Sequence, residues 1–159
     1  MQIYLRLRFI PVRYMVVNVY VELKFIPEIG FIAKNSQNQA VLMRAPIKDI
    51  PPVGPSPMEL LLMALAGCTG YDVISILLKM RQKIEGFEIK VNGVRRDEDP
   101  RVYVNIDLKY IVYGDVDEDK LKEAIRLSME KYCSISAMLK NGGVNVNVSH
   151  EVIKPSTPR

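Results

Sequence analysis

Two thiols, Cys68 and Cys133, are the side chains of this 159-residue sequence best suited to covalent chemistry. A thiolate cleaves a peroxide by attacking its O–O bond, which leaves a sulfenic acid, and a second thiol condenses with that acid to a disulfide before over-oxidation sets in. That cycle needs two roles, and two cysteines are present. Cys68 lies in an apolar helical segment among Ala64, Leu65 and Gly67. Apolar surroundings raise a thiol pKa, and Asp72, one helical turn later, raises it further by charge repulsion. Cys133 falls where one helix gives way to the next, near an N-terminus expected to lower its pKa. The competing reading is that both are small buried hydrophobes, as free cysteines commonly are. If the two were joined, closing a loop across a separation of 65 positions would stabilise the fold by roughly 4 kcal/mol on the loop-entropy argument.

Other chemistries find little support. With one histidine, His150, a four-ligand zinc site would need carboxylates at unrelated spacings, so no metal is expected, and His150 reads as a surface side chain. Two cysteines are too few for a secreted disulfide scaffold. The net charge of +4 is spread along the chain, with Arg95 and Arg96 followed at once by Asp97, Glu98 and Asp99, so no nucleic-acid footprint stands out. No uninterrupted apolar run approaches the ~18 residues of a membrane span, and the N-terminal stretch alternates as a strand does instead of forming the apolar block of a signal peptide. A cytoplasmic protein with neither nucleic-acid nor membrane partner is the expectation. Tyr71 and Tyr132, near the two cysteines in sequence, read as core packing, with a pocket wall as the alternative.

The positioning elements are read from periodicity. Residues 1–15 alternate as an N-terminal strand extension, and Met15 offers a second candidate start. Val17, Val19, Val21, Leu23 and Phe25 alternate with polar residues, predicting a strand with one buried face. Strands at 31–34 and 40–43, separated by turns, complete an antiparallel meander. Residues 51–57, with prolines at 51, 52, 55 and 57, form a stiff connector. Ser56, Pro57 and Glu59 then carry the capping-box signature of a helix start. That helix is expected over 57–83, apolar nearly all round, and therefore buried in a core or at a subunit interface. Strands at 87–94 and 102–113 come next. Asp117 caps a second helix whose buried face is read as Leu121, Ala124, Ile125, Ser128 and Tyr132. A short helix at 135–139, a strand through Val144, Val146 and Val148, and a loose tail at 154–159 end the chain. This order predicts a single α+β domain over 1–159, with a homodimer as the economical way to cover an all-round apolar helix.

The segment from Gly54 through Pro57, Met58, Glu59 and Leu60 to Gly67, Cys68 and Thr69, followed by Asp72 and Val73, resembles the OsmC/Ohr family of organic hydroperoxide reductases. So does Cys133 through Ser136 at the head of a short helix. The similarity covers roughly 16–153, and the Pro-Met-Glu-Leu form is most like the YhfA-like branch. The resemblance implies an OsmC-like α+β fold, antiparallel sheets packed around a long buried central helix, in an intertwined homodimer. It implies thiol-dependent reduction of organic hydroperoxides as a stress-response, antioxidant activity. Cys68 would attack, Cys133 would resolve, and an external dithiol reductant would regenerate the pair without any cofactor. In well-studied members a glutamate directly follows the helix-start proline and pairs with a thiolate-activating arginine. Here that position is Met58. At 100° per residue Met58 lies about 80° around the helix from Cys68 and Glu59 about 180° away, so Glu59 reads as a cap. Arg44, before the proline connector, is the candidate arginine, with a surface arginine as the alternative. Met58, Asp72 and Tyr71 are candidate pocket residues. Met58 and Asp72 both weaken thiolate activation, and so favour a second reading, an OsmC-like protein that binds an apolar small molecule without peroxidase turnover.

Overall fold

The computed structural model describes residues 18–46, 51 and 53–155. The N-terminal strand expected over 1–15 and the last residues of the tail lie outside this set. The chain groups into two compact units divided between Pro55 and Ser56.

In the first unit, β1 (Val21–Ile26), β2 (Gly30–Asn35) and β3 (Ala40–Met43) form the expected antiparallel meander. Its alternation is correct but the face is not covered: Leu23 and Phe25 remain more than half exposed.

The second unit begins at α1 (Pro57–Lys79). Ser56 Oγ accepts from the Glu59 backbone N–H, and the Glu59 carboxylate accepts from the Ser56 N–H at 2.7 Å, so Glu59 is the capping residue the spacing predicted. The helix ends four residues before the expected 83. Arg81 adopts a left-handed φ of 57°, its N–H donates to Leu78 O, and that of Gln82 donates to Leu77 O. This is the paired bonding of a Schellman stop, made without the glycine that normally signals it, so the basic run through Lys83 hid the boundary. By length and mean hydropathy α1 is long and apolar enough to cross a bilayer, as the core helix of a globular domain also can be, although Glu59, Thr69 and Asp72 interrupt its apolar run. It nevertheless buries one line of residues, Leu65, Thr69, Gly70, Val73 and Leu77, and leaves Met63, Tyr71 and Leu78 exposed.

The sheet of this unit has the order β4 (Lys83–Arg95), β5 (Tyr103–Asp115), β6 (Asn145–Ile153). β4 and β5 pair antiparallel as expected, whereas β6 runs parallel to β5. Alternation gives a strand's faces but not its direction. Here α2 (Glu118–Leu127) and α3 (Ser134–Asn141) carry the chain back across the sheet, and a helical crossover returns the next strand parallel. Ile106, Leu108, Tyr110 and Val112 on central β5 form one core with the buried line of α1 and with Leu121, Ala124, Ile125 and Met129. The α+β architecture with a long helix against a sheet is therefore present.

Candidate active site

Cys68 projects from the middle of α1, one residue before the buried Thr69. Asp72, one turn on, shares its side of the helix. Cys133 arrives from the crossover by an unusual route. Between α2 and α3 the chain makes a π-helical turn, Ser128–Tyr132, closed by the Cys133 N–H on Ser128 O at 2.9 Å. The wide turn adds a residue to the helical repeat and shifts the phase of the residues after it. It corrects the face read for α2: Leu121, Ala124, Ile125 and Ser128 are buried, but Tyr132 has rotated out and is 51% exposed. The turn also ends on Cys133, which becomes the N-cap of α3, its sulfur accepting the Ser136 N–H at 3.3 Å.

These two routes converge. Cys68 Sγ, Cys133 Sγ and a carboxylate oxygen of Asp72 all lie within 4.8 Å of one another. Both thiols are free. Side-chain rotation has to close at most about 2.8 Å to reach the ~2.05 Å of a disulfide. Cys68 is half-buried, whereas Cys133 is 3% exposed. Burial pushes the Cys133 thiol up to about 11, helped by the neighbouring Cys68, and the Ser136 N–H offsets only part of this. The lowering expected from a helix N-terminus is thus outweighed, because removing a thiolate from water costs more than one backbone hydrogen bond returns.

Two residues of the site carried no sequence signal of function. Ser128, fully buried, donates from Oγ to Asp72 Oδ2 at 2.9 Å and fixes the carboxylate beside the thiols. Tyr110, also fully buried, rises to about 12 through burial; the negative charges it would face on Cys133, Asp72 and Cys68 add to the effect, and a hydrogen bond with Thr69 opposes it. It stays neutral and walls the site from below. A polar tip in the buried phase of an otherwise aliphatic strand was the available hint for Tyr110; Ser128 had none beyond its place on the buried face of α2.

Asp72 and Tyr71 line a cleft of about 550 Å³ together with Ile76, Met80, Leu127 and Tyr132. Tyr71, 77% exposed, and Tyr132 are therefore cleft residues and not core. Met58 is elsewhere: it lines a separate apolar cleft of about 340 Å³ with Leu61, Tyr103 and Leu139, and its carbonyl accepts from Tyr103 Oη at 2.9 Å. Arg44 comes directly after β3 in the first unit, its backbone N–H bonded to Pro55 O at 3.1 Å. His150 is partly exposed at the surface, its Nε2 3.2 Å from Glu118 Oε1.

A helix-borne thiol and a buried partner thiol at a helix N-cap, on a three-stranded sheet with a helical crossover, define an OsmC-like arrangement. Residues 49–149 match the sequence profile described as OsmC-like protein. Protein YhfA of Escherichia coli K12 is 39% identical over 131 residues, spanning 82% of this chain and 95% of its own. The crystal structure of a hypothetical protein from Aquifex aeolicus VF5 superposes with a TM-score of 0.77 at 36% identity, covering 89% of this chain and all of that one. The organic hydroperoxide resistance protein OhrB of Bacillus subtilis shares the fold, with a TM-score of 0.58 at 18% identity over 85% of this chain and 98% of its own. The chain belongs to the OsmC family, on the YhfA-like side of it.

Proposed function

We propose that this protein reduces organic hydroperoxides by a two-thiol cycle. The observation that carries the reading is the juxtaposition of an accessible thiol and a buried one within 4.8 Å. Cys68, the reachable sulfur, attacks the distal peroxide oxygen. The O–O bond breaks, the oxygen stays on Cys68 as a sulfenic acid, and the departing alkoxide leaves as the alcohol with the thiol proton. Cys133 then attacks the Cys68 sulfur, the S–O bond breaks, and the hydroxide leaves as water with the Cys133 proton. An external dithiol returns two electrons and two protons. Burial holds the Cys133 thiol well above its ordinary range and hides it from substrate, which leaves the first attack to the reachable Cys68. The cleft walled by Tyr71, Ile76 and Tyr132 accepts the substrate's organic group. The relationship to a protein named for organic hydroperoxide resistance supports the same chemistry. A homodimer covers the exposed apolar residues of α1 and of the first sheet, and the cytoplasm, where dithiol reductants are maintained, is the compartment.

The test is intact-mass spectrometry after stoichiometric cumene hydroperoxide. Wild type is expected to lose two hydrogens, and Cys133→Ser to gain oxygen on Cys68. Equal peroxide consumption by wild type and Cys68→Ser sinks the proposal. Unchanged thiols, combined with thermal stabilisation by an apolar ligand that persists in Cys68→Ser, would establish the ligand-binding reading instead.

A further inference from the structure

We propose that Cys68, Cys133 and Asp72 form a binding site for a soft divalent cation of the zinc type, and that this site exists only while the two thiols are reduced. The donor set is two sulfurs and one carboxylate oxygen, delivered by α1 and by the N-cap of α3, mutually within 4.8 Å. A tetrahedral zinc with sulfurs at about 2.3 Å places them roughly 3.8 Å apart. The two sulfurs therefore need to approach by no more than about 1 Å from where they stand. Three protein donors leave a fourth position, on the side where Asp72 borders the 550 Å³ cleft, for water or a small ligand.

The surroundings are those of a supported site. Metal carboxylates and thiolates are held by outer hydrogen bonds that fix their orientation. Here Ser128 Oγ donates to Asp72 Oδ2 at 2.9 Å, leaving Oδ1 as a ligand atom, and the Ser136 N–H donates to Cys133 Sγ at 3.3 Å. Among the described residues Asp72 makes no ion pair, so a half-buried carboxylate stands next to two ionisable sulfurs without a partnering cation. Two thiolates discriminate strongly: they select zinc, cadmium or copper(I) over magnesium or calcium. Binding replaces the two thiol protons with one cation. Joining the sulfurs removes both thiolates, so cation and disulfide exclude each other. A single histidine disfavours a four-ligand site of conventional spacing, but it leaves room for a three-donor site assembled from residues 65 positions apart.

The experiment uses the full chain, reduced and stripped by chelator, and needs no peroxidase activity. Titration with cadmium is monitored by the ultraviolet thiolate-to-metal charge-transfer band, and zinc affinity is obtained by competition with a chromophoric chelator. One cation per chain is expected, with affinity falling by about 100-fold or more in Cys68→Ser and in Cys133→Ser, and by about 10-fold or more in Asp72→Asn with partial recovery in Asp72→Glu. Protein oxidised with diamide, which takes two electrons and two protons from the thiol pair, is expected to bind none. Absence of the band in folded, reduced protein overturns the proposal, as does undiminished binding in Cys68→Ser, in Asp72→Asn or in the diamide-oxidised form. Peroxide consumption, measured separately on metal-free protein, stands or falls independently of these results.

Discussion

Ser128→Ala removes a single oxygen and tests whether Asp72 is held in place from below. Ser128 is fully buried and its hydroxyl bonds Asp72 Oδ2 at 2.9 Å. A hydrogen bond to a charged group contributes about 1.5–3 kcal/mol when its partner is left unsatisfied. Asp72 is half-buried on the edge of a cleft, so water replaces part of what is lost, and the expected cost is about 1–2 kcal/mol. For a chain of this length that corresponds to a fall in Tm of roughly 2–8 °C. The assay is a double-mutant cycle in urea with Ser128→Ala, Asp72→Ala and the pair, on reduced, metal-free protein at pH 7 with closely similar m values. A coupling of about 1 kcal/mol or more is expected. The rate at which iodoacetamide alkylates Cys68 provides a second readout, since a merely structural serine would leave it unchanged. A coupling within about 0.3 kcal/mol of zero refutes the reasoning, because two independent residues would give that result.

Four other outcomes are expected. Cys133 has its pKa raised from about 9 to about 11, so its thiol stays neutral in the folded chain where the unfolded chain already ionises; stability attributable to it is complete below pH 9 and declines by up to about 2 kcal/mol as pH rises through 11, read as the difference between wild type and Cys133→Ser in urea melts. A flat difference across that window would contradict the burial argument. Ser56→Ala removes the cap of α1 and costs about 1 kcal/mol, whereas Ser56→Asp retains most of the stability, again by urea melts. Leu77→Ala, at a fully buried core position, costs about 2–5 kcal/mol, and a loss below 1 kcal/mol would mean that α1 does not pack as described. Gly93→Ala places a methyl 2.5 Å from Tyr103 Cε1, a ring anchored through its hydroxyl to Met58 O, and destabilises by about 1–3 kcal/mol; an unchanged Tm would show that the ring yields freely.

Local order was legible in the sequence wherever one residue type has one strong local consequence. The Ser56–Glu59 capping box, the Asp117 cap, the period-two strands and the proline connector all act through neighbours a few positions away. The strand pair read at 87–94 and 102–113 and the family motif around Cys68 were legible for the same reason. Sequence patterns misled where local codes are degenerate. Arg81 ends α1 in a left-handed conformation that glycine would normally announce, and the parallel pairing of β6 depends on a crossover path that alternation does not encode. The buried face assigned to Tyr132 assumed a constant 3.6-residue repeat, which the π-helical turn interrupts.

By itself, then, the sequence determined the helix starts, the strand phases, the family and the identity of the two thiols, because each of these is written in short-range patterns or in residue type. Only the tertiary structure decided that Cys68, Cys133 and Asp72 share one site, that Ser128 orients the carboxylate, that Tyr71 lines a cleft, and that Met58 belongs to another. It also decided the sign of the Cys133 shift: an N-cap amide and burial act in opposite directions on a thiol, and which prevails depends on how much water the fold removes from around the sulfur.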